Sequence, residues 1–253
     1  MSLQQNVGWS IRFFLLALLL VWHVGAAAAA DVDQAWIDSV AALDPQKQVE
    51  AVTAKMQDVN PGFKEKLEAI IKDGNVIQLY FDPTDATDLR PLRALESLRK
   101  LTMDGGLDTC KLADLSGLRG LSLNELRVSS GRLADLGPLE GMPLTCLEIY
   151  GEGVADLKPL RKMPLRRLDC RLTAVRDLSP PADSPLEQLE CSKTRITDLK
   201  PLAKLPLKWL NCNENPCITD LAPLRGLRLL QLNCGGTGVS EDRQLSHRQT
   251  KLR

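Results

Sequence analysis

Histidine is almost missing from this chain. Of 253 residues only His23 and His247 are histidine, so everything between them lacks the commonest general base and the commonest zinc ligand. Aromatic residues make up 4%, and 32 basic side chains balance 32 acidic ones. A zero net charge offers nothing for electrostatic capture of nucleic acid or of an anionic membrane. The sequence contains no G-x-S-x-G, H-E-x-x-H, G-x-x-x-x-G-K-[ST], H-R-D or D-F-G. None of its seven cysteines forms a C-x-x-C pair, so zinc geometry is not suggested. Carboxylate pairs such as Glu148 and Asp169 remain as acid–base candidates, but nothing in the sequence marks them as buried or paired. An enzyme is not expected, and no metal or cofactor is implied.

One apolar run stands out near the start. Arg12 precedes Phe13 to Trp22, and the small residues Ala26 to Ala30 then meet the acidic Asp31-Val32-Asp33. This is the layout of a secretory signal peptide over residues 1–30. Its apolar core of about ten residues is half the roughly twenty that a membrane span needs. Counting the alanines lengthens it to about eighteen, which leaves a retained anchor as the alternative. The expected location is secreted or periplasmic, with no membrane span after cleavage.

What the chain has in excess is leucine, 47 residues, placed in a repeat. The pentapeptide Asp-Leu-x-Pro-Leu or a near variant begins at Asp88, Asp114, Asp135, Asp156, Asp177, Asp198 and Asp220, at spacings of 26, 21, 21, 21, 21 and 22. A Leu-x-x-Leu-x-apolar block accompanies each, from Leu98/Leu101/Met103 to Leu229/Leu232/Cys234, and a divergent earlier copy reads Val76/Leu79/Phe81. That makes eight rungs. A unit of about 21 residues cannot bury its apolar face alone, so the copies must stack into one continuous core. The alternation in Leu-x-Cys suits one face of a strand, and Asp-Leu-x-Pro-Leu suits a tight turn or a single turn of 3₁₀ helix.

The consensus resembles the leucine-rich repeat, in the short internalin-like bacterial form of about 22 residues, over residues 76 to 241. Similar arrays occur attached to bacterial serine/threonine kinases, although no kinase signature is present here. The resemblance implies an α/β repeat fold: a solenoid of about eight rungs, with a parallel concave sheet, a convex side of 3₁₀ turns and an N-terminal helical cap. Two departures are visible. The family's asparagine position is mostly threonine (Thr84, Thr173, Thr194, Thr237), with Asn215 the one asparagine. The third apolar strand position becomes cysteine in the last four rungs.

Residues 31–73 read as the cap, 74–241 as the repeats and 242–253 as a polar tail. Trp36, Val40 and Leu43 mark one short amphipathic helix. Asp44-Pro45 opens a second, with Val49, Val52, Met56 and Val59 inward and Asn60-Pro61-Gly62 as its stop. Asp73-Gly74 signals a two-residue hairpin, preferred over a third helix at 63–72, whose extra strand would cover the edge of the first rung.

Cys170, Cys191, Cys212 and Cys234 share one repeat position. Parallel stacking keeps neighbours near the strand spacing, wider than the roughly 3.8 Å between Cβ atoms that a disulfide prefers, so a reduced core ladder is expected. The aspartate column is read as turn caps rather than a calcium spine, and the threonines as a hydroxyl ladder that satisfies loop backbone groups.

The remaining surface is the concave face. Its centre is placed at Tyr150, Arg167, Asp169, Arg171, Glu190 and Trp209, all at strand positions expected to point outward. Trp209 matters most, because tryptophan, tyrosine and arginine dominate binding energy at interfaces; surface packing over its neighbours is the competing account. The expected function is a non-enzymatic binding module for another protein or an extracellular polymer, acting as a monomer. The alternative is a structural protein that self-associates through the solenoid's end.

Overall fold

The computed structural model describes residues 32–239. The signal segment and polar tail expected at the two ends lie outside these residues. Nine strands form one sheet in chain order: β1 (Glu68–Lys72), β2 (Asn75–Phe81), β3 (Lys100–Asp104), β4 (Glu125–Ser129), β5 (Cys146–Tyr150), β6 (Arg167–Asp169), β7 (Gln188–Glu190), β8 (Trp209–Asn211) and β9 (Gln231–Asn233). β1 pairs antiparallel with β2 across the Asp73-Gly74 turn, as the hairpin reading requires, and β2 to β9 are all parallel. Register is one repeat per strand. Leu79 pairs with Leu101, then Leu126, Leu147, Leu168, Leu189, Leu210 and Leu232. β6 to β9 shorten to three residues where cysteine replaces the third apolar residue.

The opposite side is built from seven short 3₁₀ turns; the leucine of Asp-Leu-x-Pro-Leu precedes six of them, and Ser179 precedes the seventh, Pro180–Asp183. In every copy the aspartate accepts the backbone N–H two residues on, at 2.7–2.9 Å from Asp88 to Asp220. The column therefore caps turns. Thr173, Thr194 and Thr237 donate their hydroxyls to the carbonyls of Cys170, Cys191 and Cys234 at 2.6–2.9 Å. Asn215 does more. It donates to the Cys191 and Cys212 carbonyls and accepts from Thr194, which joins two rungs.

The cap consists of α1 (Gln34–Ala41) and α2 (Pro45–Val59), with Asp33 and Asp44 as N-caps accepting from the Trp36 and Lys47 N–H groups. Val49, Val52 and Met56 are buried as expected. Leu43, assigned to the inward face of the first helix, is not: α1 ends two residues earlier and Leu43 is exposed in the link. Pro45 explains the break, because the residue before proline and its link disfavour helical backbone. Asn60 is fully buried and joins cap to solenoid. Its carbonyl oxygen accepts from the Thr87 and Asp88 N–H groups at 2.7 Å, and its amide donates to the Met56 and Asp88 carbonyls at 2.9 Å.

Leu189 is fully buried between Leu168 and Leu210. Leu189→Ala should cost about 2–5 kcal/mol, because it opens a cavity shared by neighbouring rungs. Denaturant melts showing a loss under about 1 kcal/mol would contradict the stacked core.

Cys170, Cys191, Cys212 and Cys234 are in no disulfide among the described residues and are fully buried, whereas Cys217 is exposed. Burial pushes the Cys212 thiol up to about 12 and raises Cys170 and Cys191 as well. Since the thiolate is the reactive form, a thiol reagent should label Cys217 in the native protein and the ladder only after denaturation. Native disulfides between ladder neighbours would overturn this assignment.

Candidate functional site

From β3 to β9 the first and third residues of each strand, and the residue two beyond, face away from the leucine core and form the concave surface. Parallel register sets these side chains in columns about 4.8 Å apart, so each meets its counterparts on the adjacent rungs. Across the N-terminal half the columns alternate in charge. Lys100 Nζ lies 2.9 Å from Glu125 Oε2, and Arg127 bridges Asp104 at 2.8 Å and Glu148 at 3.2 Å.

Tyr150, at the end of β5, is the hub of the middle. Its ring lies between the guanidiniums of Arg127 and Arg171, 5.4 and 5.0 Å from the centroid, within cation–π range. Its hydroxyl lies 3.0 Å from Glu148 Oε2 and 3.1 Å from Asp169 Oδ2, and accepts from Arg171 Nη2 at 3.2 Å. One phenolic proton serves one carboxylate at a time. Glu148 also meets Arg167 at 3.0 Å, and Asp169 meets Arg171 at 3.2 Å. Glu148 and Asp169 are thus paired through a tyrosine, which the sequence did not mark.

Three expected site residues differ in exposure from the sequence reading. Tyr150, Asp169 and Glu190 were expected to point into solvent, yet they are 6%, 2% and 8% exposed. They lie on the concave side, but the long arginine side chains and neighbouring columns fold over them. Arg167 and Arg171 are exposed, and Trp209 is half-buried. Glu190 is held from below by the Ser192 N–H at 2.9 Å and the Asn211 amide at 2.7 Å.

Burial raises the Asp169 carboxyl to about 6, and the Glu190 charge opposite it adds to the rise; the Arg171 N–H and guanidinium and the Tyr150 hydroxyl oppose it. Burial likewise raises Tyr150, so its hydroxyl stays protonated. Asp169 is bonded to both Arg171 and Tyr150 and so fixes the position of those groups.

Arg167, Asp169, Arg171, Glu190 and Trp209 line one groove of 590 Å³, together with Gln188, Lys208, Leu230 and Gln231. Tyr150 is absent from its lining and supports it through Asp169 and Arg171. Lys208 and Leu230 were missed from sequence. Leu230 had a readable signal: it occupies the column Arg99, Asn124, Thr145, Arg166, Glu187, Lys208, polar in each of those rungs, and it is 86% exposed. A second hollow of 320 Å³ farther toward the N-terminus is lined by the Lys100, Glu125, Arg127 and Glu148 pairs and contains no aromatic residue. Among the described residues no His/Cys/Asp/Glu cluster could hold a metal ion, and no helix is long and apolar enough to cross a membrane.

Comparison with solved structures decides the architecture. Internalin C2 from Listeria monocytogenes matches 81% of this chain and 92% of its own length, at 22% identity and a TM-score of 0.59. The fold is an internalin-like leucine-rich-repeat solenoid. Internalin InlF of the same organism matches 61% of this chain and 52% of its own length, at 26% identity and a TM-score of 0.47. No protein-family model and no curated protein matches the chain. The likeness to internalin C2 concerns the fold, so the groove's role rests on the solenoid's own side chains.

The buried acid gives a pH test. Asp169 keeps its proton up to about pH 6 in the folded chain, whereas the free carboxyl releases it near 3.8. This group therefore favours folding below about pH 4, and that contribution is lost as pH rises through about 6. Relative to Asp169→Asn, the parent chain should lose on the order of 2–3 kcal/mol across this window. Parallel pH profiles of the two proteins in denaturant melts would remove the buried acid.

Proposed function

We propose that the protein is an exported, non-enzymatic interaction module that holds a partner protein or extracellular polymer in the concave groove of β6 to β9. The observation that carries this reading is Trp209, half-buried in a groove of 590 Å³ that it shares with the exposed Arg167 and Arg171. A large aromatic on a rigid repeat core loses little side-chain entropy on binding, and the arginines beside it are held in place by Glu148 and Asp169. The internalin-like fold supports an interaction role, since such solenoids present extended concave surfaces for binding. Export is inferred from the residue pattern of 1–30. Self-association through the solenoid's end is the second reading, and sedimentation at rising concentration separates it from a monomeric binder.

A pull-down with the chain from Asp31 onward, repeated with Trp209→Ala, tests the groove. The variant should melt within a few degrees of the parent and bind the captured partner about 2 kcal/mol more weakly or worse. If Trp209 only packs over its neighbours, the same change lowers stability and leaves affinity intact, and that outcome removes it from the site.

A further inference from the structure

The zero net charge of the chain conceals a sorted surface. Along the edge where β6 to β9 begin, the loops leaving the 3₁₀ turns expose Lys162, Lys204, Arg225 and Arg228, and among the described residues none of the four forms an ion pair. Arg166 and Lys208, on the same edge, share a single acid, Glu187. Asp183 is the exposed acid of this stretch. The cations thus outnumber the acids over three strand spacings, about 15 Å.

Two further features mark this edge. Gly120, Gly141 and Gly226 occupy one repeat position with φ of +88°, +78° and +90°, the left-handed region that suits glycine. In the β6 rung that position is Lys162, at φ 63°. A cation is held there at a backbone cost that glycine avoids. Beside Lys204, Lys208 and Arg228 lies an apolar hollow of 490 Å³ with Leu205, Pro206 and Leu227 in its wall and Leu230 at its rim. Leu230 is 86% exposed, the highest among the large apolar side chains of the described residues.

We propose that this edge docks on the anionic headgroup surface of a phospholipid membrane, with Leu230 reaching into the interface. The four cations are exposed along the edge where β6 to β9 begin, within about 15 Å, so an extended anionic surface can meet several of them together. Their long apolar stems and the exposed leucine suit the boundary between headgroup and acyl chain. Each lysine or arginine near an anionic leaflet strengthens binding about five-fold. Lys208 and Leu230 border both this edge and the concave groove, whereas Lys162, Lys204, Arg225 and Arg228 lie outside the groove's lining, so the docking is tested through those four.

Co-sedimentation with vesicles of phosphatidylglycerol in phosphatidylcholine, against vesicles of phosphatidylcholine alone, tests the idea. The chain from Asp31 onward contains every element of the described fold and leaves out the apolar run at 13–22, whose own lipid affinity would confuse the assay. It should bind the anionic vesicles alone and release with added salt. The triple variant Lys204→Gln, Arg225→Gln, Arg228→Gln should bind about 100-fold more weakly. Lys162→Gly should weaken binding about five-fold without lowering the melting temperature, which keeps charge separate from folding. Trp209→Ala should bind vesicles like the parent chain. Absence of binding, equal binding to both vesicles, or a triple variant that binds normally would overturn the proposal. So would capture of soluble polyglutamate without capture of vesicles, which would make the edge an acidic-protein site.

Discussion

The in-register stacking of one leucine per rung is the constraint from which the rest follows. A rung of 21 residues buries nothing by itself, so Leu101, Leu126, Leu147 and their successors gain their burial from the neighbours on each side. That requires every strand to begin at the same phase of the repeat. The turns enforce the phase: each aspartate fixes the backbone two residues on, and Thr173, Thr194, Asn215 and Thr237 hold the loops after their strands. Where a rung has no preceding copy, Asn60 supplies the missing hydrogen bonds from the cap and β1 covers the open edge.

The same register dictates the chemistry of the concave face. Side chains at equivalent positions face each other across about 4.8 Å, so the order of charges along a column becomes a set of contacts. Lys100 opposite Glu125 and Arg127 opposite Glu148 are favourable pairs. Asp169 opposite Glu190 is not, and two buried carboxylates side by side are costly unless a proton or a cation intervenes. Both are supplied. Arg171 meets one oxygen of Asp169, Asn211 donates to Glu190, and burial keeps Asp169 protonated further toward neutral pH than a free carboxyl.

Periodicity made the solenoid, its 3₁₀ turns, the aspartate caps and the Asp73-Gly74 hairpin legible before any coordinates, because each depends on local spacing. Alternation along a strand also showed which side of the sheet Tyr150, Asp169 and Glu190 occupy. It could not show their burial, since that depends on how arginines from neighbouring rungs, 21 residues away in the chain, lie across them. Leu43 failed for a related reason: the apolar spacing fitted a helix that Pro45 had already forced to end. Asn60 read as a helix stop, and its role as the joint to the first turn became visible only when Thr87 and Asp88 were found beside it.

Net charge is silent on where charge lies, because a sum carries no positions. Equal numbers of acids and bases exclude a uniform attraction to polyanions, yet a repeat protein distributes each column to one side of a rigid body. The capping role commits an aspartate in every rung from Asp88 to Asp220 to the turns, whatever else the surface does. The balancing cations are free of that duty. In the last four rungs several of them collect on the edge where the strands begin, around the exposed Leu230. The binding properties of such a chain are set column by column, and its net charge describes none of its faces.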